Sequence, residues 1–198
     1  MQIDTEHLHY WMQAIRQSPD PIRTLDAFWS GQLTSKEWLI NSLRPHVNKF
    51  VNIDIYGGWV GVLASMLFQS SIPVTNIRSI DIDPGCESIA TTMNKKEEMV
   101  GRFQALTSDM CEIASDADII INTSCEHITQ DQYDLWLSQL SNDSLLILQS
   151  NNYDIPEHIR TAKDLDDFKN QSNINVMWAG ELSLPLYTRY MIIGYSNV

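Results

Sequence analysis

Nowhere does this sequence stay apolar for the roughly 18 to 20 residues that cross a bilayer, so no membrane-spanning helix is expected among its 198 residues. Its start, MQIDTEHLHYWMQ, has no basic region ahead of an apolar stretch, and no secretory signal is expected. Positive charge is scarce: 13 Lys and Arg stand against 25 Asp and Glu, a formal charge of −12. Binding to duplex nucleic acid needs a dense basic footprint that neutralises phosphates. The nearest approach is Lys95-Lys96, followed at once by Glu97-Glu98. Nucleic acid is therefore a poor partner, and the acidity serves solubility while leaning toward small-molecule or basic-protein substrates.

Cysteine is also sparse. Cys86, Cys111 and Cys125 leave an odd count with no CxxC spacing, which fits a reducing cytoplasm better than a disulfide framework. Five scattered histidines show no HxxxH or paired Cys/His spacing, so no metal is expected. Repeats, low-complexity tracts and linkers are missing, and 43% hydrophobic residues suit an ordinary core. One domain over 1–198 is the expectation; oligomeric state leaves no mark in the sequence.

Residues 1–50 read as a helical cap. Leu8, Trp11, Met12 and Ile15 share one apolar helix face. Asp4 is placed to cap that helix, and SPDP at 18–21 breaks it. Thr34-x-x-Glu37 has the spacing of a capping box and opens another helix, which Pro45 stops. From Val51 the pattern alternates: strands at 51–56, 77–82, 103–107, 118–123 and 144–149, helices near 60–70, 85–99 and 130–141, with 108–117 unassigned. Such alternation predicts a parallel sheet with helices on both faces. A polar helix near 162–170 precedes two strands, INVMWAGEL and YTRYMIIGY, which make an antiparallel pair at the sheet edge.

In open parallel sheets ligands bind beyond the C-terminal strand ends. After the first strand, in NIDIYGGWVGVLA, come Gly57, Gly58, Trp59 and Gly61. Glycines there let backbone approach a ligand, although they also serve a tight strand–helix turn. Strand two ends in SIDIDP; Asp81 has the reach to bind both hydroxyls of a ribose, while Asp83-Pro84 caps the next helix. Strand three runs into TSDM, where Asp109 can accept from an adenine amino group and Met110 can pack on its ring.

These residues, in this order, resemble the class I S-adenosylmethionine-dependent methyltransferases. The resemblance covers Val51 to the C-terminus: NIDIYGGWVG as glycine loop, SIDIDP with the ribose-binding acid, TSDM as adenine contact, DADIIINTS as fourth strand, and LPLYTRYMIIGY as the closing antiparallel strand. It implies a three-layer Rossmann-like α/β sandwich. Its mostly parallel seven-stranded sheet ends in an antiparallel C-terminal strand and follows N-terminal helices. The implied cofactor is S-adenosylmethionine, with Asn122 also near it. The family loop is an acid followed by alternating glycines. Anchoring on Asp54 keeps the acid but only Gly58; anchoring on Gly57 and Gly61 puts Trp59 in the middle.

Strand four ends in INTSCEHI, without the Asn/Asp-Pro-Pro-aromatic of members that methylate amino groups of bases or glutamine. It offers Asn122, Cys125, Glu126 and His127 instead. Methyl transfer is an in-line displacement that needs alignment and often a base. His127 is the natural base, since imidazole titrates at about 6.5, and Glu126 could orient it or hold a cationic substrate; both could equally be capping or packing residues. Gln149 and Asn151 after strand five, with Tyr187 and Arg189 on the last strand, are candidate substrate contacts. Trp11, Trp29 and Trp38 fit core more readily than a lid. The leading expectation is a methyltransferase acting on a small polar molecule. Alternatives are an aminocarboxypropyl transferase of nicotianamine-synthase type, an NAD-dependent enzyme, and a non-catalytic Rossmann-like binding module.

Overall fold

The computed structural model describes residues 4–197; the first three residues and the last of the expected domain lie outside the described residues. Helix α1 (Thr5–Gln17) is capped as anticipated, the Asp4 carboxylate accepting from the Glu6 amide. Its buried face is not the expected one. Leu8 and Met12 are 42% and 52% exposed, whereas His7 and Ala14 are buried. The rotation lets Trp11 donate its indole N–H to Ser65 Oγ at 2.8 Å, while small Ala14 helps bring the helix close to its neighbours.

Asp20 caps α2 (Pro21–Asp26), with Pro21 at its first position. Helix α3 (Ser30–Leu43) starts four residues before Thr34, so Thr34 and Glu37 lie inside it and form no capping box. Its start has no side-chain cap; Leu39, Ile40 and Leu43 bury its face.

Seven strands follow: β1 (Val51–Tyr56), β2 (Val74–Asp81), β3 (Phe103–Thr107), β4 (Ile119–Asn122), β5 (Leu145–Asn151), β6 (Ile174–Ser183) and β7 (Thr188–Ser196). They make one sheet of order β3-β2-β1-β4-β5-β7-β6. Pairs β1/β2, β2/β3 and β4/β5 are parallel, and β7 is antiparallel to both β5 and β6. Helices α4 (Val62–Phe68), α5 (Pro84–Met93), α6 (Lys95–Glu98), α7 (Gln130–Ser138) and α8 (Leu165–Ser172) flank the strands. The parallel part is what the alternation predicts, and the reversed C-terminal strand of a Rossmann-like sheet is what the family resemblance implies.

Some boundaries move. The expected helix 85–99 divides at Asn94, whose side-chain amide bonds the Gly61 carbonyl instead of facing solvent. The unassigned 108–117 holds a single 3-10 turn, Met110–Glu112. Strand β5 runs on to Asn151, and α8 starts only after Asp164 caps it.

The chain groups into two compact units, Met1–Asp109 and Met110–Val198, so the helical preface belongs with the first three strands. In the first, Ile53, Ile55, Leu67, Ile77 and Ile80 form the core. Asp54 and Arg78 face each other in register across β1 and β2 and make a two-pronged ion pair. In the second, Ile120, Ile121, Leu146, Ile147, Leu148, Trp136, Phe168 and Ile192 are buried.

Asp54 is 2% exposed, so removing Arg78 takes the paired guanidinium from a buried carboxylate. Arg78→Leu is expected to lower unfolding free energy by about 3 kcal/mol in urea titration, and Asp54→Leu/Arg78→Leu to recover most of it.

Candidate functional site

Strand β1 ends at fully buried Tyr56 and turns through three left-handed residues, Gly57 (φ +64°), Trp59 (φ +48°) and Gly61 (φ +80°). This decides between the two anchorings of the loop. Asp54 is committed to Arg78 within the sheet, and the positions that need glycine's freedom are Gly57 and Gly61. The Gly58 amide donates to the Ile80 carbonyl at 3.0 Å. A Cβ at Gly58 would come within 2.0 Å of Ser79 Oγ, so the loop crosses β2 with no room for a side chain.

Trp59 departs from glycine chemistry, and its left-handed backbone costs on the order of 1–3 kcal/mol. Two contacts offset this. Its amide donates to Asp81 Oδ2 at 2.8 Å. Its side chain packs on a cluster containing Ala14, Ala27, Cys86 and Met93, beside Trp11 and Phe28. The tryptophan thus pins the loop to the helical preface.

Asp81 ends β2 with its carboxylate between two amides, Trp59 N–H on Oδ2 and Asp83 N–H on Oδ1 at 3.0 Å. A carboxylate offers about four acceptor sites, so each oxygen keeps one for an outside donor, and the residue is partly exposed. Next to it Ile82 is 69% exposed, an apolar surface that sequence reasoning missed because neighbouring acids dominate SIDIDP. Asp83 caps α5 through the Gly85 amide and pairs with Arg23 at 2.6 Å. That amide and the guanidinium lower its pKa. Asp109, half-buried, follows β3.

In the second unit Asn122 is fully buried, its Oδ1 accepting from the Ser124 amide and its Nδ2 lying 3.7 Å from Met110 Sδ. Cys125, expected at the mouth, is instead fully buried, and burial pushes its thiol up to about 12. Glu126 is 2% exposed. It does not orient His127: its Oε1 accepts from Asn151 Nδ2 and lies 3.7 Å from Arg189 Nη2, while Oε2 has no partner. His127 is exposed, and its Nδ1 meets the Glu157 carbonyl at 3.0 Å.

Gln149 and Asn151, expected as substrate contacts in a polar turn, are buried in β5. The Gln149 amide sits 3.4 Å from Met191 Sδ, and Asn151 Oδ1 accepts from the Tyr153 amide. Both lie within β5 rather than in a turn after it. Tyr187 stacks on Tyr153 with centroids 5.3 Å apart, and the Arg189 guanidinium lies 5.6 Å from the Tyr187 ring. Arg189 is buried; Nη1 donates to the Thr123 carbonyl at 3.1 Å, and Nε has no partner. Two residues escaped the sequence reading. Arg160, over the Tyr133 ring at 4.0 Å, donates to the carbonyls of Cys125 and Gln171. His158 sits 4.7 Å, centroid to centroid, from His127. Their separation from INTSCEHI along the chain left no spacing to read.

No protein-family model and no curated protein matches the sequence. Solved structures do. Magnesium protoporphyrin IX methyltransferase from Synechocystis, solved with S-adenosylhomocysteine bound, superposes at TM-score 0.67 and 14% identity over 98% of this chain and 95% of that one. The fold is that of the S-adenosylmethionine-dependent methyltransferases. Mitomycin 7-O-methyltransferase MmcR matches at TM-score 0.65 and 15% identity, covering 94% of this chain but only 60% of its own. The nicotianamine synthase MtNAS matches at 0.63 and 12%, over 96% and 70%.

Burial raises Cys86, beside Asp81 and Asp83, to about 12 as it does Cys125, from an ordinary 9.0. Their thiols stay protonated in the fold, so the stability they contribute is complete below pH 9 and is lost as pH rises toward 12. Denaturant midpoints should fall across that window, and at pH 8 a thiol reagent should label Cys111 well ahead of the other two; rapid labelling of Cys125 in folded protein would contradict this.

Proposed function

We propose that this chain is an S-adenosylmethionine-dependent methyltransferase acting on a small polar molecule. The observation that carries the reading is the cradle of the first unit. Left-handed Gly57 and Gly61 let the loop backbone come close, and the Asp81 carboxylate keeps acceptor capacity free. Exposed Ile82 adds an apolar surface. Those features suit a ligand with a vicinal diol and a flat heterocycle. Asp81 would take the ribose hydroxyls, Ile82 an adenine face, and Asp109 its amino group. Gly58 and Trp59 hold the loop in shape. Bound there, the cofactor supplies a sulfonium-activated methyl group.

The acceptor residues are assigned to the second unit. A carbonyl only accepts, so His127 Nδ1 carries hydrogen and Nε2 keeps its lone pair, free to take the acceptor's proton. Glu126 and Asn151 keep Arg189 in place; Arg189 and Tyr187 would meet an anionic or aromatic part of the acceptor. A small-molecule acceptor also accords with the net charge of −12.

A second reading is aminocarboxypropyl transfer. It is favoured by the likeness to MtNAS, which was solved with MTA and tNA, and by a loop carrying Trp59 where alternating glycines are the rule.

Isothermal titration with S-adenosylhomocysteine should show binding, weakened at least tenfold by Asp81→Ala in protein that stays folded. Unchanged affinity would remove Asp81 from the site. Mass spectrometry of spent cofactor separates the readings: S-adenosylhomocysteine marks methyl transfer, methylthioadenosine the other group.

A further inference from the structure

We propose that Glu126, His127 and His158 form a binding site for a divalent transition-metal ion. One ligand atom from each residue lies within 4.8 Å of the other two. Ligands of a single ion bound at about 2.1 Å sit roughly 3 to 3.5 Å apart. Ligation would draw the three groups together by about 1 to 2 Å, and His127, the exposed member, has the most freedom to move.

The donor chemistry is already sorted. His127 Nδ1 meets the Glu157 carbonyl at 3.0 Å, and His158 Nδ1 meets the Tyr153 carbonyl at 2.8 Å. Because carbonyls only accept, both rings are protonated at Nδ1 and both present a lone pair at Nε2. An imidazole held by a backbone carbonyl through its other nitrogen is the arrangement that orients metal-ligating histidines. The third donor is a buried carboxylate with an unfilled place. Glu126 is 2% exposed, Asn151 and Arg189 serve only Oε1, and Oε2 is partnerless. A buried acceptor left without a partner costs about 1–3 kcal/mol, more when charged, and a cation at Oε2 removes that cost.

The surroundings hold the three residues in place. The Arg160 amide donates to the Glu126 carbonyl at 3.0 Å, and its guanidinium holds the Cys125 carbonyl at 3.3 Å. This fastens the loop bearing Glu157 and His158 to the 3-10 turn Cys125–His127. Two imidazoles and one carboxylate select zinc, iron, cobalt or nickel over magnesium or calcium, which prefer all-oxygen sites. Three protein ligands also leave a position open for an outside oxygen. The ion would occupy the Nε2 lone pair that otherwise accepts a proton, so metal ligation and base catalysis are alternative states of His127. The proposal does not depend on which group the protein transfers.

The test is equilibrium dialysis of untagged, chelator-treated protein against Zn²⁺, with the visible absorption of bound Co²⁺ as a second readout. About one Zn²⁺ per chain is expected, weakened at least tenfold by His158→Ala and by Glu126→Gln, and unchanged by His9→Ala. His158→Gln guards against loss of packing, and circular dichroism reports folding. Failure of folded wild type to retain Zn²⁺, full binding by both His158 variants, or equal binding of Mg²⁺ would overturn the site. S-adenosylhomocysteine titration on the same samples keeps the outcomes apart: cofactor binding without Zn²⁺ rejects the metal site alone.

Discussion

The Asp81 carboxylate is the constraint on which the first unit's candidate site depends. It accepts the Trp59 amide on one oxygen and the Asp83 amide on the other, joining the loop after β1 to the start of α5. It holds the amide of left-handed Trp59 directly, while the Gly58 and Gly61 amides on either side bond the Ile80 and Gly58 carbonyls. The same carboxylate that shapes the loop is the group proposed to meet a ribose, so in that reading shape and recognition rest on one side chain. The strain at Trp59 is tolerated because the indole also packs against the helical preface. Asn94 supports the loop from its other end, holding the Gly61 carbonyl where α5 gives way to α6.

The second unit solves a different problem, the burial of charge. Glu126 and Arg189 are both almost inaccessible, and Asn151 lies between strand and turn as a donor to the carboxylate. Neither ion is fully served: Glu126 Oε2 and Arg189 Nε lack partners. Burying charge is costly unless it is paired and hydrogen-bonded. That unfilled capacity is what the proposed acceptor contact at Arg189 and the proposed cation at Glu126 would use.

Much of the fold was legible in the sequence because it is written in short-range pattern. Strands β1 and β3 fall at the expected residues, and Asp4 and Asp83 cap the helices they precede. The reversed C-terminal strand could be read from two apolar runs around a proline turn. Errors came where tertiary contacts override pattern. Leu8 and Met12 satisfy helical periodicity but lose the buried face to His7 and Ala14, since the indole of Trp11 reaches Ser65. Gln149 and Asn151 look like a polar turn, yet β5 continues through them because their amides find partners inside. The left-handed turn at Gly57 and Gly61 and the place of Asp81 at the end of β2 were legible from position alone. The meeting of Glu126 and His127 with His158 and Arg160 was not, since it depends on how the loop after β5 folds back.

In the proposed function the loop after β1 and the acid ending β2 grip an adenosyl cofactor. Hydrogen–deuterium exchange with and without S-adenosylhomocysteine tests it most directly. The prediction is slowed exchange confined largely to amides 57–61 and 81–85. Cofactor binding that leaves those amides unchanged, or no change anywhere at saturating ligand, would contradict it.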